Sequence, residues 1–376
     1  MLRKGTFILM KTKIQDMTSG SPGRLIILFA IPLMLGNICQ QLYTMVDTMV
    51  VGQVVGVEAL AALGAVDFLM WVVTGISTGL TQGFSIQLSQ YYGAKDFENL
   101  RKSLAHSYRL TAFIAAGVLI LSQSFASLVL TGLHTPSNII GMSLLYLRII
   151  FCGIPATAAY NMFASALRAM GNSKTPLTAM IIASVLNVSL DILFVAGFGW
   201  GVAGAAIATV IAQSFSAVYC FLILRRIDIV HLTRADFMPA SGMNARLMKL
   251  GIPVVFQNII IGVGGLVVQY VINGYGFLFV AGFTATNKLY GLLEMAAISY
   301  GYAIVTYVGQ NLGAGKIDRI RKGVRSSMLL SLLTSLIISA AMFLFGKNIL
   351  SLFISGEPQQ TQQVLAIAFK YLSIMA

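Results

Sequence analysis

Apolar stretches of about twenty residues recur along the whole of this chain, separated by short polar or basic segments, and nothing else in the sequence limits the fold so strongly. A stretch of that length, wound as a helix, crosses the hydrocarbon core of a bilayer. Inside lipid every backbone N–H and C=O must be bonded internally, so a spanning segment is a helix or part of a closed barrel. The stretches fall at 25–51, 58–85, 103–131, 138–160, 176–197, 201–224, 247–273, 279–304, 324–346 and 362–376. They are continuous rather than alternating, which selects helices. The fold class is therefore all-α, a polytopic transmembrane helical bundle. Composition agrees: 57% of residues are hydrophobic and 10% charged, where a globular domain carries about a quarter charged. Cys39, Cys152 and Cys220 sit in separate apolar segments without motif spacing, so they read as packing residues.

The net charge of +13 points to topology rather than to nucleic acid. Twenty of the 25 Lys and Arg residues lie before the first span or in alternate loops, among them Lys95, Arg101, Lys102, Arg225, Arg226, Arg319 and Arg321. The intervening loops hold only Lys347. The positive-inside rule then places the N-terminus in the cytoplasm. The start, "MLRKGTFILMKTKIQDMTSG", lacks an apolar run followed by a cleavage site, so the first span is expected to act as its own insertion signal.

The chain also repeats. "SQYYGAKDFENLRK" (89–102) aligns with "GQNLGAGKIDRIRK" (309–322), matching Gln90, Gly93, Ala94, Arg101 and Lys102 to Gln310, Gly313, Ala314, Arg321 and Lys322. Upstream, Pro32 pairs with Pro253 and Asn37 with Asn258. The matches concentrate in polar residues, where composition alone does not produce them. Six spans separate corresponding points, so the halves share one orientation, the parallel-repeat plan of transporters. The expected organisation is an N-terminal cytoplasmic segment (1–24), a first six-helix lobe (25–224), an inter-lobe linker (225–246) and a second lobe (247–376).

Three apolar segments carry polar stripes. The first span has Asn37, Gln40, Thr44 and Asp47 within about an 80° arc. The fifth has Ser184, Asn187 and Asp191, and the sixth Thr209, Gln213 and Ser216. An intramembrane carboxylate costs about 2.5–3.5 kcal/mol on insertion scales. A polar contact between helices returns only about 0.6 kcal/mol on average. Two retained acids therefore point to binding of a proton, a metal cation or a cationic substrate. Val268 stands at the repeat position of Asp47, so the carboxylate pair belongs to the first half alone. In the second span, Gly75, Gly79 and Gly83 form G-x-x-x-G-x-x-x-G, a surface for close helix packing. Glu294, within the eighth span, is a further candidate cavity residue.

Together, "AIPLMLGNICQQLYTMVDTMVVG" (30–52), "SQYYGAKDFENLRK" (89–102), "ALRAMGNSKTP" (166–176) and "SVLNVSLDILFVAGFGWGVAGAAIAT" (184–209) resemble the multidrug and toxic compound extrusion (MATE) family, in particular its DinF/MepA-like bacterial branch. The resemblance covers nearly the whole chain from about residue 17. It implies two six-helix lobes around a central cavity that opens alternately to each side. It implies export of organic cations and drugs in exchange for protons or Na⁺, by a monomer in the bacterial inner membrane. No cofactor and no nucleic-acid partner are expected, and the chain is not expected to be an enzyme. The branch's cation site, proton or Na⁺, falls on Asp47, Asn187, Asp191 and Thr209. Asn37, Gln40, Thr44, Gln213 and Glu294 are expected around the cavity. Pro32 matches a proline whose kink is linked to conformational change in that branch. The other branch places acids in the second lobe, where this chain has Gln257, Asn258 and Gln269.

A second half as long as the first would run to about residue 446, so the sequence reads as truncated within its tenth span. Two alternatives to the antiporter are a flippase for a lipid-linked sugar and a non-functional fragment. A flippase cavity is expected to present cations to phosphate, whereas the first half offers acids and amides with only Arg109 and Arg148. An intramembrane aspartyl protease would need G-x-G-D, and Asp191 follows "NVSL" instead.

Overall fold

The computed structural model describes residues 14–133, 135–273, 275, 277–351 and 358–375. Among them are eleven α-helices and no strand. They are α1 (Pro22–Val54), α2 (Val57–Gly93), α3 (Phe97–Gly132), α4 (Ile140–Cys152), α5 (Ile154–Ala169), α6 (Lys174–Asp191), α7 (Gly201–Leu224), α8 (Met243–Asn273), α9 (Phe277–Gly313), α10 (Ile317–Ser351) and α11 (Pro358–Met375). Seven helices are long and apolar enough to cross a membrane, and α4 with α5, bent by 45°, makes an eighth. The helices α9 and α11 occupy the two remaining expected segments. The chain is a multi-pass membrane protein.

The helices run further than the apolar segments. The basic stretch 89–102 is not a loop: only three residues separate α2 from α3. Hydropathy registers where lipid ends, whereas the helix ends where the backbone is capped. Here Ala94 N and Asp96 N donate to Gln90 O and Tyr91 O, with Lys95 at φ 57° between them. Asp96 then caps α3 by accepting from Asn99 N at 3.1 Å. The repeat builds the same turn: Ala314 N and Lys316 N donate to Gln310 O and Asn311 O, with Gly315 at φ 71° in the place of Lys95.

Helices α1–α7, with the start of α8, pack around two apolar clusters. One, toward the basic end, includes Phe84, Leu88, Leu100, Leu104 and Leu247. The other, toward the opposite end, includes Val51, Leu63, Leu130, Leu147 and Val195. The helices α10 and α11 carry a smaller cluster of Met342, Leu350, Ala368 and Leu372.

The two halves meet through α2–α8, α2–α9 and α1–α9. The glycine ladder of α2 is a packing surface, and α8 is what it packs. A Cβ at Gly83 would overlap Gly251, one at Gly79 would stand 2.9 Å from the Val255 backbone, and Gly75 O accepts from Asn258 Nδ2 at 3.1 Å. One turn further, Gly262 lies against the Trp71 ring. Asn37, the repeat partner of Asn258, crosses in the other direction and donates to Ser299 Oγ at 3.2 Å. At the basic end the symmetry is reciprocal: a Cβ at Gly93 would fall on Gln310 O, and one at Gly313 on Gln90 O. The repeat visible in sequence is thus the pair of surfaces through which the halves touch.

Candidate functional site

Between the two apolar clusters of the first half lies a polar layer. On α1, Asp47 sits between Tyr43, which belongs to one cluster, and Val51, which belongs to the other. On α6, Asn187 and Asp191 precede Val195 by two turns and one turn, so their side chains project into the same layer. On α7, Thr209, Gln213 and Ser216 lie between Ala206 and Ala217, which again belong to opposite clusters. Asn187 and Asp191 are fully buried and Asp47 is 5% exposed.

The hydrogen bonding of this layer is incomplete. Asn187 Nδ2 donates to Thr209 Oγ1 at 3.4 Å, and Gln213 Nε2 donates to Tyr43 OH at 3.1 Å. No protein group reaches Asp47 Oδ1, Asn187 Oδ1, either oxygen of Asp191, Gln213 Oε1 or Ser216 Oγ. Buried polar atoms are almost always paired, so this many orphans on three facing helices mark a place where something other than protein supplies the partner. All the free atoms are oxygens, a hard donor set suited to a proton or a small hard cation. Among the described residues no cluster of three His, Cys, Asp or Glu side chains could hold a metal.

The helix carrying the second acid changes form at that residue. Directly after Asp191 the chain runs as a π-helix from Ile192 to Gly197. Such wide turns recur at functional sites because they re-aim side chains and loosen the backbone ladder. Phe194 then stacks on Trp200 with ring centres 5.0 Å apart, and Gly204 leaves room for Phe194 against α7.

The structure gathers Asp47, Asn187, Asp191 and Thr209, with Gln213 beside them. The α1 stripe divides: Gln40 and Thr44 are exposed, and Asn37 serves the contact between halves. Glu294 is exposed on α9. Tyr43 was not singled out by the polar pattern, though its spacing of four from Asp47 was a usable signal. Nothing in composition announced the π-helix.

The MatE family profile matches residues 32–193 and 253–376. The chain belongs to the MatE family. This MatE chain is 31% identical over 363 residues to the "Probable multidrug resistance protein YpnP" of Bacillus subtilis (strain 168), covering 96% of this chain and 81% of that protein. It is 21% identical over 332 residues to the "Multidrug export protein MepA" of Staphylococcus aureus (strain NCTC 8325 / PS 47), covering 88% and 73%. A MOP superfamily transporter from Pyrococcus furiosus shares the fold with a TM-score of 0.90 at 23% identity, covering 96% of this chain and 80% of that one. An outward-facing multidrug resistance MATE transporter gives 0.89 at 22%, covering 96% and 80%. The family is one of multidrug efflux transporters, and its named members here are resistance and export proteins rather than enzymes.

Proposed function

We propose that this MatE chain is an antiporter that exports organic cations in exchange for a proton or Na⁺, with Asp47, Asn187, Asp191 and Thr209 as the coupling site. One observation carries the reading: two buried carboxylates of which three oxygens, Asp47 Oδ1 and both of Asp191, have no protein partner. With both ionised, their charges repel across an apolar core, and an organic cation entering nearby is favoured. A bound proton or Na⁺ cancels one of the two charges and weakens the pull on a second cation, so the same layer then favours release of the drug. Free Asn187 Oδ1 and the Thr209 hydroxyl complete an oxygen shell for the ion.

Alternating access requires the contact between halves to part at one end while it closes at the other. Contacts here extend from the basic end up to about the level of Trp71 and Gly262. Pro32 and Pro253 interrupt the ladders of α1 and α8 at matching positions of the repeat, which gives each helix a place to bend. In this reading the basic end faces the cytoplasm of a bacterial plasma membrane, and the chain works as a monomer.

The test is transport of a fluorescent organic cation in proteoliposomes, with a proton gradient and a Na⁺ gradient imposed separately. The Asp47→Asn, Asp191→Asn double variant is expected to insert normally and to lose gradient-driven transport to background. Transport by that variant at the wild-type rate overturns the proposal.

A further inference from the structure

On the flank of the first half, α3 and α4 leave a groove of about 650 Å³ lined by Leu119, Ile120, Gln123, Arg148, Ile149 and Cys152. We infer that this groove binds the phosphate of an anionic phospholipid through Arg148.

The placement of Arg148 is the first reason. It stands eight residues beyond the first residue of α4, about 12 Å from that N-terminal end, and Gln123 stands nine residues before the last residue of α3, about 14 Å in. Half a hydrocarbon core is about 15 Å, so the guanidinium hangs from near the middle of the bilayer. The surrounding surface is apolar and open: Ile120 is 64% exposed and Leu128 67%. A cation at that depth is costly unless it finds an anion or water.

The second reason is that the protein offers no anion. Among the described residues, the Arg148 side chain has neither an ion pair nor a hydrogen bond. The neighbouring donors are spent: Gln123 Nε2 donates to Arg148 O at 2.8 Å and lies 3.3 Å from Cys152 Sγ. Those bonds secure the end of α4, where the chain bends by 45° into α5. The guanidinium is therefore the free donor of the groove, and its fork suits two phosphate oxygens at once.

Direction supplies the third reason. Helical side chains lean toward their own N-terminus, and for Arg148 that is the nearer membrane face. The arm thus rises toward the headgroups while the groove beneath it accepts an acyl chain. A second protein helix fits the site less well, because the large residues Ile120, Leu121, Leu128 and Leu145 project from the exposed faces of α3 and α4 and keep another backbone at a distance.

The experiment is photo-crosslinking of purified protein in nanodiscs with phosphatidylglycerol carrying a diazirine near the top of one acyl chain, mapped by peptide mass spectrometry. Labelling is expected on 119–124 and 148–152, at least fivefold above that from the phosphatidylcholine analogue. Arg148→Gln is expected to remove that preference. Ile120→Trp, which keeps the charge but fills the groove, is expected to remove it too, while Leu128→Trp, outside the groove lining, leaves it intact. Equal labelling by the two lipids, or a preference that survives Arg148→Gln, overturns the inference. So does competition by soluble glycerol phosphate at millimolar concentration, which would make the ligand a free phosphate, and so does a specific dimer cross-linked through Cys152.

Discussion

The buried polar layer of the first half and the buried polar cluster at the basic end differ in one respect. At the basic end, residues 15–20 pass beneath the junction of the halves. Gln15 N donates to Gly171 O, and Met17 N donates to Gln310 Oε1 at 3.0 Å. Gln310 Nε2 donates to Ala169 O, Asn311 Nδ2 to Met17 O, and Arg319 to Asn311 Oδ1 and Gly20 O. Gln310 and Asn311 are as deeply buried as Asn187 and Asp191, yet neither has an orphaned side-chain atom. The paired cluster ties segments together, and the unpaired one is left to meet an ion. The same residue types, amides beside charged groups, serve structure where the accounting closes and binding where it does not.

The contrast is broken most severely at the junction. Gly93→Val places a side chain on the Gln310 carbonyl, and relaxation there must move backbone. The expected loss exceeds about 4 kcal/mol, seen as a collapse of the thermal midpoint in detergent. Gly313→Val should match it by symmetry, and a tolerated Gly93→Val would show that the close approach is dispensable.

Next comes Gln310→Ala, which strands Met17 N and Ala169 O in a buried site. A loss of about 2–3 kcal/mol is expected in the same melt. Asp191→Asn, by contrast, removes a charge with no protein partner and should leave the midpoint unchanged or raised, within about 1 kcal/mol. Equal destabilisation by the two substitutions would erase the distinction between paired and unpaired clusters.

The linker supplies a finer test. Asp236 accepts from Thr233 N and Oγ1 at 2.7 and 2.8 Å and lies 3.7 Å from Arg101. Burial opposes its ionisation, but the Thr233 hydrogen bonds and Arg101 outweigh it and hold the carboxyl below its usual range. A depressed folded value means that this stabilisation is present above the ordinary Asp value near 3.9 and fades as pH falls through the lower, folded value. Amide exchange in 228–237 should therefore be flat from pH 8 to about 5, apart from the intrinsic rate, and Asp236→Asn should raise it at all of these pH values. Loss of protection near pH 6–7 would contradict the assignment. The smallest effect is expected at Lys95, whose φ of 57° suits glycine, as its counterpart Gly315 shows. Lys95→Gly should raise the midpoint by the equivalent of about 0.5–1 kcal/mol.

The sequence by itself determined the membrane class, the apolar segments, the repeat, and the polar stripes of α1, α6 and α7. Those features are periodic or compositional: a long apolar run, an offset of 220, acids and amides spaced one turn apart in oil. Lipid penalises each misplaced polar group so strongly that hydropathy alone constrains the answer. What only the tertiary structure decided is which polar atoms are paired. Asn37 and Asp47 share a stripe in sequence, yet one bonds Ser299 of the other half and the other is turned into the first. Tyr43, the π-turn after Asp191, the 45° bend after Cys152 and the passage of residues 15–20 under Gln310 also came from the structure. Each depends on where a second helix lies, and a helix's own periodicity carries no record of its neighbour.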